Sequence, residues 1–200
     1  APNVVQAEAE VLYFIRAPKV SVTHEIYERI CDIARGAALM TGTQVQIDLD
    51  AALFDLIPNR TLETVLQRNF DVFGAPSFDE QELEFARRIQ STLSQAEIDF
   101  DLRGREALRG KVLSDVVEPL PEQETFLFAS TDVGDVSWVV PTAQISAATF
   151  AIGTPLHTWQ VVSQGATSVG HKGMLHAGKV LAASALEVMR DPMLIDQAKA

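Results

Sequence analysis

Four short stretches place reactive side chains where neither a core nor an ordinary turn has need of them. The first is S-T-D-V-G-D-V-S-W, residues 130–138, which follows a short apolar run and offers Thr131, Asp132 and Asp135. Carboxylates and hydroxyls at the C-terminal end of a buried strand in an α/β sheet sit where ligands are commonly held. The competing reading is that both aspartates cap turns. The second is G-T-P-L-H-T-W, residues 153–159, where Gly153 and Pro155 restrain a loop carrying His157. A neutral imidazole held rigidly there suits a metal or a proton transfer, and a packed or surface histidine is the plain alternative.

The third stretch, S-V-G-H-K-G-M-L-H, residues 168–176, spaces His171 and His176 five apart. Five residues turn a helix by about 500°, roughly 140° off a common face, so the two make poor joint ligands. His176 reads as a packed helix residue. His171, in the first turn, could approach the His157 loop and support it. The fourth is Asn3 followed by a strand-like run ending at Arg16. Asn3 offers an amide and Arg16 a bidentate grip on a carboxylate, against the alternative of a solvated arginine at a strand end.

The elements that must position these residues follow from periodicity. Glu10 to Arg16 (E-V-L-Y-F-I-R) is a short apolar run rich in β-branched and aromatic residues, bounded by Pro18, and reads as a strand. Ser21 to Met40, capped at Ser21 or Thr23 and closed near Gly42, predicts an amphipathic helix with Ile26, Ile30, Cys31, Ile33 and Ala34 in its pattern. Thr43 to Asp50 alternates Val45, Ile47, Leu49 as a half-buried strand. Pro58-Asn59 breaks that unit, which sets a domain boundary of 1–59 against 60–200. Thr61 to Phe73 predicts a helix ending at Gly74, and Ser77 to Leu93 another, with Ser77 and Glu80 as a capping box. Residues 95–124 carry charge clusters, two glycines and two prolines, and read as a surface excursion. Phe126 to Ala129 and Ala143 to Ala151 predict buried strands around a loop from Ser130 to Thr142, and Ser168 to Met189 predicts a helix stopped by Asp191-Pro192, its glycines and alanines packing on a sheet.

Composition removes several function classes. The 200 residues carry 16 Lys plus Arg against 27 Asp plus Glu, a formal charge of −11 that repels phosphate backbones and argues against nucleic-acid binding. Most of that charge lies at 61–125, with seven basic and fourteen acidic residues, so it says little about a substrate. The longest uncharged run is broken by Pro141, Gly153 and Pro155, so no membrane span is expected. The single cysteine, Cys31, reads as a small buried hydrophobe in a reducing cytoplasm. No G-x-S-x-G elbow, P-loop, G-x-G-x-x-G or C-x-x-C is present. The chain starts at Ala1 inside a patterned segment, which suggests a missing beginning.

Together these residues carry a resemblance. Asn3-Val4-Val5, with Arg16 thirteen positions after Asn3, resembles the N-V-[IV]-P to strand-arginine element in the lid of the di-zinc aminoacylase and glutamate-carboxypeptidase family of amidohydrolases, with Gln6 in place of the usual proline. The blocks at 130–138, 153–159 and 170–177 resemble its aminobenzoyl-glutamate-cleaving branch. The resemblance implies an α/β fold. Half of a ferredoxin-like lid would be followed by the C-terminal part of a zinc-aminopeptidase-like mixed sheet flanked by helices.

It implies His157 as the final metal ligand, Asn3 and Arg16 as the groups gripping the scissile carbonyl region and the substrate's carboxylate, and Asp132 as a pocket-lining residue. Thr131, Asp135 and His171 would support these from behind. Two zinc or manganese ions, a small-molecule N-acyl amino acid such as aminobenzoyl-glutamate, and a homodimer formed through the lid, with room for a second subunit, come with it. The general-base glutamate and the other ligands, about four of five, would lie upstream, so no catalytic base is expected here and the chain alone should hydrolyse nothing. The rival expectation is a non-catalytic dimerisation or carboxylate-binding module. A third reading makes every polar residue above a cap or surface group.

Overall fold

Helices satisfy their own backbone polar groups, and helices are what this chain builds. The computed structural model describes residues 3–122 and 129–200. Eight α-helices are found there: α1 (Val20–Thr41), α2 (Arg60–Phe73), α3 (Glu80–Gln90), α4 (Gln95–Asp101), α5 (Val133–Ser137), α6 (Trp159–Gln164), α7 (Ser168–Arg190) and α8 (Pro192–Lys199), with a 3₁₀ turn at Glu106–Leu108.

No β-strand occurs among the described residues. The expectation of an α/β mixed sheet with a ferredoxin-like lid half is therefore corrected. Residues 10–16, 43–50 and 143–151 form no β-ladder, and the first exposes its apolar side chains, Leu12 at 81% and Phe14 at 89%. The physical reason is that an alternating apolar pattern selects an extended backbone and a face, whereas a strand exists only when a second strand supplies the ladder hydrogen bonds. Residues 126–128 of the fourth expected strand lie outside the described residues.

The chain divides into two units, one running to Ile57 and resuming in the stretch that ends at Val140, the other starting at Pro58 and including Pro141–Ala200. In the first, α1 ends where Gly42 takes φ +65°, with its N–H bonded to the Ala38 carbonyl, a left-handed C-cap suited to glycine. Its N-cap is Lys19, without a side-chain cap bond, rather than Ser21 or Thr23. Cys31 is buried on α1.

In the second unit, Asn59 caps α2 by accepting from the Leu62 amide, and α2 packs on α7 and α8. The capping box of α3 falls on Asp79 and Glu82 rather than on Ser77 and Glu80. Both pairs have the same spacing, and partly buried Phe78, packed against the first core cluster, stands just before the Asp79 cap. One core cluster joins Ala86, Ile89, Leu113, Ala151 and Val169, and a second joins Leu102, Leu108 and Ile152. Leu102, Leu108 and Leu113 of the 95–124 stretch are thus buried. Neighbouring residues Ala151 and Ile152 tie the two clusters together just before the His157 loop. The glycines of α7 do allow a close approach, but to backbone outside any sheet: a Cβ on Gly173 would lie 2.2 Å from the Ala148 carbonyl oxygen.

Candidate functional site

The loop carrying His157 is built from a buried base and an exposed tip. Ala151, Ile152, Gly153 and Thr154 are buried, whereas Leu156 and His157 are exposed. Gly153 turns the chain at φ +89°, and a Cβ there would come within 2.8 Å of Ile98 Cγ1 and 3.0 Å of its Cα, so glycine is required on both counts. The Gly153 amide donates to Asp101 Oδ2 at 2.7 Å. Beyond Pro155 the Thr158 hydroxyl donates to the Pro155 carbonyl at 2.8 Å, and Thr158 precedes α6.

At the tip, His157 adopts φ +63°, among the described residues the one positive φ of a residue other than glycine. That conformation costs an L-residue with a Cβ about 1 kcal/mol and persists only where the surroundings impose it. The imidazole is presented to solvent, and its ring nitrogens suit one position in a metal's coordination shell. Among the described residues no three His, Cys, Asp or Glu side chains gather as a single ion requires. His157 thus fits one ligand position, and these residues do not complete a site around it.

His171 lies on α7 and is exposed. His176, one turn and a half further, packs with its ring centroid 5.5 Å from that of Phe70 on α2, and neither ring nitrogen has a hydrogen-bond partner among the described residues. It is a packed helix residue, as its spacing from His171 suggests.

In the other unit, Thr131, Asp132 and Asp135 surround a short helix that the sequence reads as loop. Asp132 precedes α5, is exposed, and makes no side-chain cap bond. Thr131 Oγ1 accepts from the Val133 amide at 3.3 Å. Asp135 Oδ1 accepts from the Phe54 amide at 3.2 Å. Ser137 Oγ accepts from the Ile57 amide at 2.9 Å and donates to the Gly134 carbonyl at 2.6 Å, while Trp138 Nε1 donates to the Asp55 carbonyl at 2.8 Å. Asp135, Ser137 and Trp138 therefore clamp residues 54–57, and Asp132 is the carboxylate of this group left facing solvent. Asn3 and Arg16 are exposed as well, with the Arg16 guanidinium carbon 5.7 Å from the centre of the Phe14 ring.

Sequence reasoning missed two residues that organise the second unit. Gln164 is 1% exposed and bonds back to the base of the His157 loop. Glu82, 5% exposed, accepts from the Asp79 amide at 2.8 Å and from Lys172 Nζ at 2.6 Å. Burial pushes its carboxyl up, but the Lys172 ammonium, the Asp79 amide and Ser168 outweigh burial and hold it below the usual carboxylate value. Glu82 was legible as a member of a capping box shifted by two residues; Gln164 left no signal. Two cavities, of about 470 and 320 Å³, lie along Ala75–Ser77 and include none of the sequence-predicted site residues, although His176 lines the smaller.

Against curated proteins, the chain is 46% identical over 209 aligned positions, 98% of its length, to one of the subunits of p-aminobenzoyl-glutamate hydrolase from Escherichia coli (strain K12). The chain is similar to part of this hydrolase subunit. It is also 27% identical to the Xaa-Arg dipeptidase of Mus musculus and 25% to that of Homo sapiens, in each case over 98% of its length. It spans 44% of the bacterial subunit and 36% of each dipeptidase, less than half the length of the curated relatives it matches. No family model matches, and no solved structure matches. None of the described helices is long and apolar enough to cross a membrane.

Proposed function

We propose that the chain serves, within the longer protein its hydrolase relatives represent, as part of a metal-dependent amidohydrolase that cleaves the amide of N-acyl amino acids such as p-aminobenzoyl-glutamate. The observation that carries this is the 46% identity to the hydrolase subunit along 98% of the chain, with the G-T-P-L-H-T-W block in a loop whose base is buried and hydrogen-bonded. His157 is the metal ligand of this chain. A divalent ion, when bound, polarises an amide carbonyl and lowers the pKa of a water toward about 7. His157 would lend the lone pair of a ring nitrogen to such an ion.

Arg16, a planar fork of donors, binds the carboxylate of the amino-acid product, and Asn3 donates its amide to the scissile carbonyl region. Asp132 lines the substrate pocket. Residues 1–59 serve as part of the dimerising lid and 60–200 as part of the catalytic portion, in a cytoplasmic homodimer. The bacterial relative is named as one subunit of its hydrolase, which supports a further partner subunit here.

The test uses the whole hydrolase chain. His157→Ala should lose bound metal and amide hydrolysis together, and Arg16→Ala should raise KM for aminobenzoyl-glutamate more than it lowers kcat. Full activity with unchanged metal content in His157→Ala would remove His157 from the site. A second reading, a carboxylate-binding module without catalysis, draws on the exposed Arg16 guanidinium, which can grip a carboxylate without a metal. Titration of the 200-residue chain with aminobenzoyl-glutamate decides for it if binding is appreciable without metal.

A further inference from the structure

We infer that Gln164 is the positioning residue that aims His157, an inference that rests on the reading of His157 as a metal ligand. Gln164 closes the last turn of α6, which begins two residues after His157, and its side chain turns back into the protein rather than outward. Its Oε1 accepts from the Ala151 amide at 2.7 Å, and its Nε2 donates to Thr154 Oγ1 at 3.1 Å and to the Gln160 carbonyl at 3.0 Å. Both amide protons and the amide oxygen are therefore used, and the orientation of the group follows from the Ala151 N–H, which needs an acceptor. Thr154 extends the chain of bonds by donating to the Ala151 carbonyl at 2.6 Å.

The consequence is a closed ring. Residues 151–154, Pro155, the exposed tip, Thr158 and α6 return through the Gln164 side chain to their own starting point, with His157 at the far side. Ala151 and Ile152 fasten the ring to both core clusters, and the Asp101 carboxylate holds Gly153. A left-handed histidine endures only where its neighbours dictate the backbone, and the Gln164 bonds bridge the two ends of the segment in which it sits. Buried at 1%, Gln164 is a polar group whose loss would strand the Ala151 amide. A hydrophobic residue of similar size would fill the space equally well and leave the tip without this constraint.

The test is made in the whole hydrolase chain with Gln164→Met, close in volume, and Thr154→Val, which removes one link and stands in if Gln164→Met does not fold. Amide hydrogen exchange at Gly153 and Thr154, whose N–H groups bond to Asp101 and to the Ala151 carbonyl, should quicken at least tenfold, and the dissociation constant for zinc, measured by chelator competition, should weaken about tenfold, with a lowered melting temperature from the stranded Ala151 amide. In a His157→Ala background, Gln164→Met should change zinc affinity less than twofold. Exchange and affinity both within twofold of wild type overturn the inference, as does an undiminished loss of affinity in the His157→Ala background. If His157→Ala itself leaves zinc affinity intact, the ligand reading fails instead, and the exchange rates alone decide whether Gln164 holds the loop.

Discussion

Replacing Lys172 with Met tests how the second unit fastens α3 to α7. Lys172 donates to Glu82 at 2.6 Å and to the Ser77 carbonyl at 3.0 Å, and its Nζ lies 5.8 Å from the centre of the Phe78 ring. Exposed ion pairs contribute about 0.2–1 kcal/mol, and breaking a fully buried one costs about 3–5. Here one partner is buried and the other is 39% exposed, so a cost of about 2 kcal/mol is expected at pH 7, roughly a 30-fold change in the folded-to-unfolded ratio.

The pH dependence has a definite sign. The Glu82 carboxyl is depressed in the folded protein, so its contribution is present above the unfolded value of about 4.3 and is lost as pH falls through the folded value. In Lys172→Met, burial without the ammonium pushes the carboxyl up, and it protonates in place as the solution is acidified. Urea unfolding followed by circular dichroism should therefore show the full deficit at pH 7 and a progressively smaller one as the solution is acidified below about 4.3. A deficit under about 0.5 kcal/mol at pH 7, or one that does not shrink in acid, would falsify the account of Glu82 as a buried, cation-dependent carboxylate.

Gly153→Ala combines a left-handed backbone with overlap at Ile98, so about 2–4 kcal/mol of destabilisation is expected, and a loss within 0.5 kcal/mol in denaturant unfolding would show that the loop base yields. His157→Gly relieves the φ of +63° and should raise stability by up to about 1 kcal/mol while lowering the metal content of the whole enzyme; a drop in melting temperature contradicts the strain assigned there. Asp135→Ala removes the acceptor of the exposed Phe54 amide, at a cost of about 0.5–1.5 kcal/mol. Because Phe54 lies 5.4 Å from Trp138, the emission of Trp138 in a Trp159→Phe background should shift, and an unmoved spectrum argues against the clamp.

What was legible in the sequence was whatever a segment decides for itself. The periodicity of residues 20–41, 60–73 and 168–190 and the glycines at 42 and 74 announce α1, α2 and α7 to within a residue or two, because helix bonds and left-handed caps are local. The strand-like runs at 10–16 and 43–50 record a continuous apolar run and an alternation, and neither names a pairing partner. Helix α5 was hidden because V-G-D-V-S carries little helix propensity; it is held by Asp135, Ser137 and Trp138 reaching residues 54–57, some 80 positions away. At the site, the glycine, proline and histidine of 153–157 marked the loop. Gln164 stayed invisible since a buried amide inside W-Q-V-V-S-Q looks the same in a sequence as an exposed one.

The pairing of α2 with α7 also bears on how the protein is made. Arg68 and Asn69 both reach Glu187, across 119 and 118 residues of chain. At about 5–20 residues per second of synthesis, α2 leaves the ribosome some 6–24 seconds before its partner helix exists. Throughout that interval Val65 and Leu66, which end up buried, face water. The nascent chain thus passes through a stage with an unsatisfied apolar helix, the stage at which a chaperone or a misdirected association would find it.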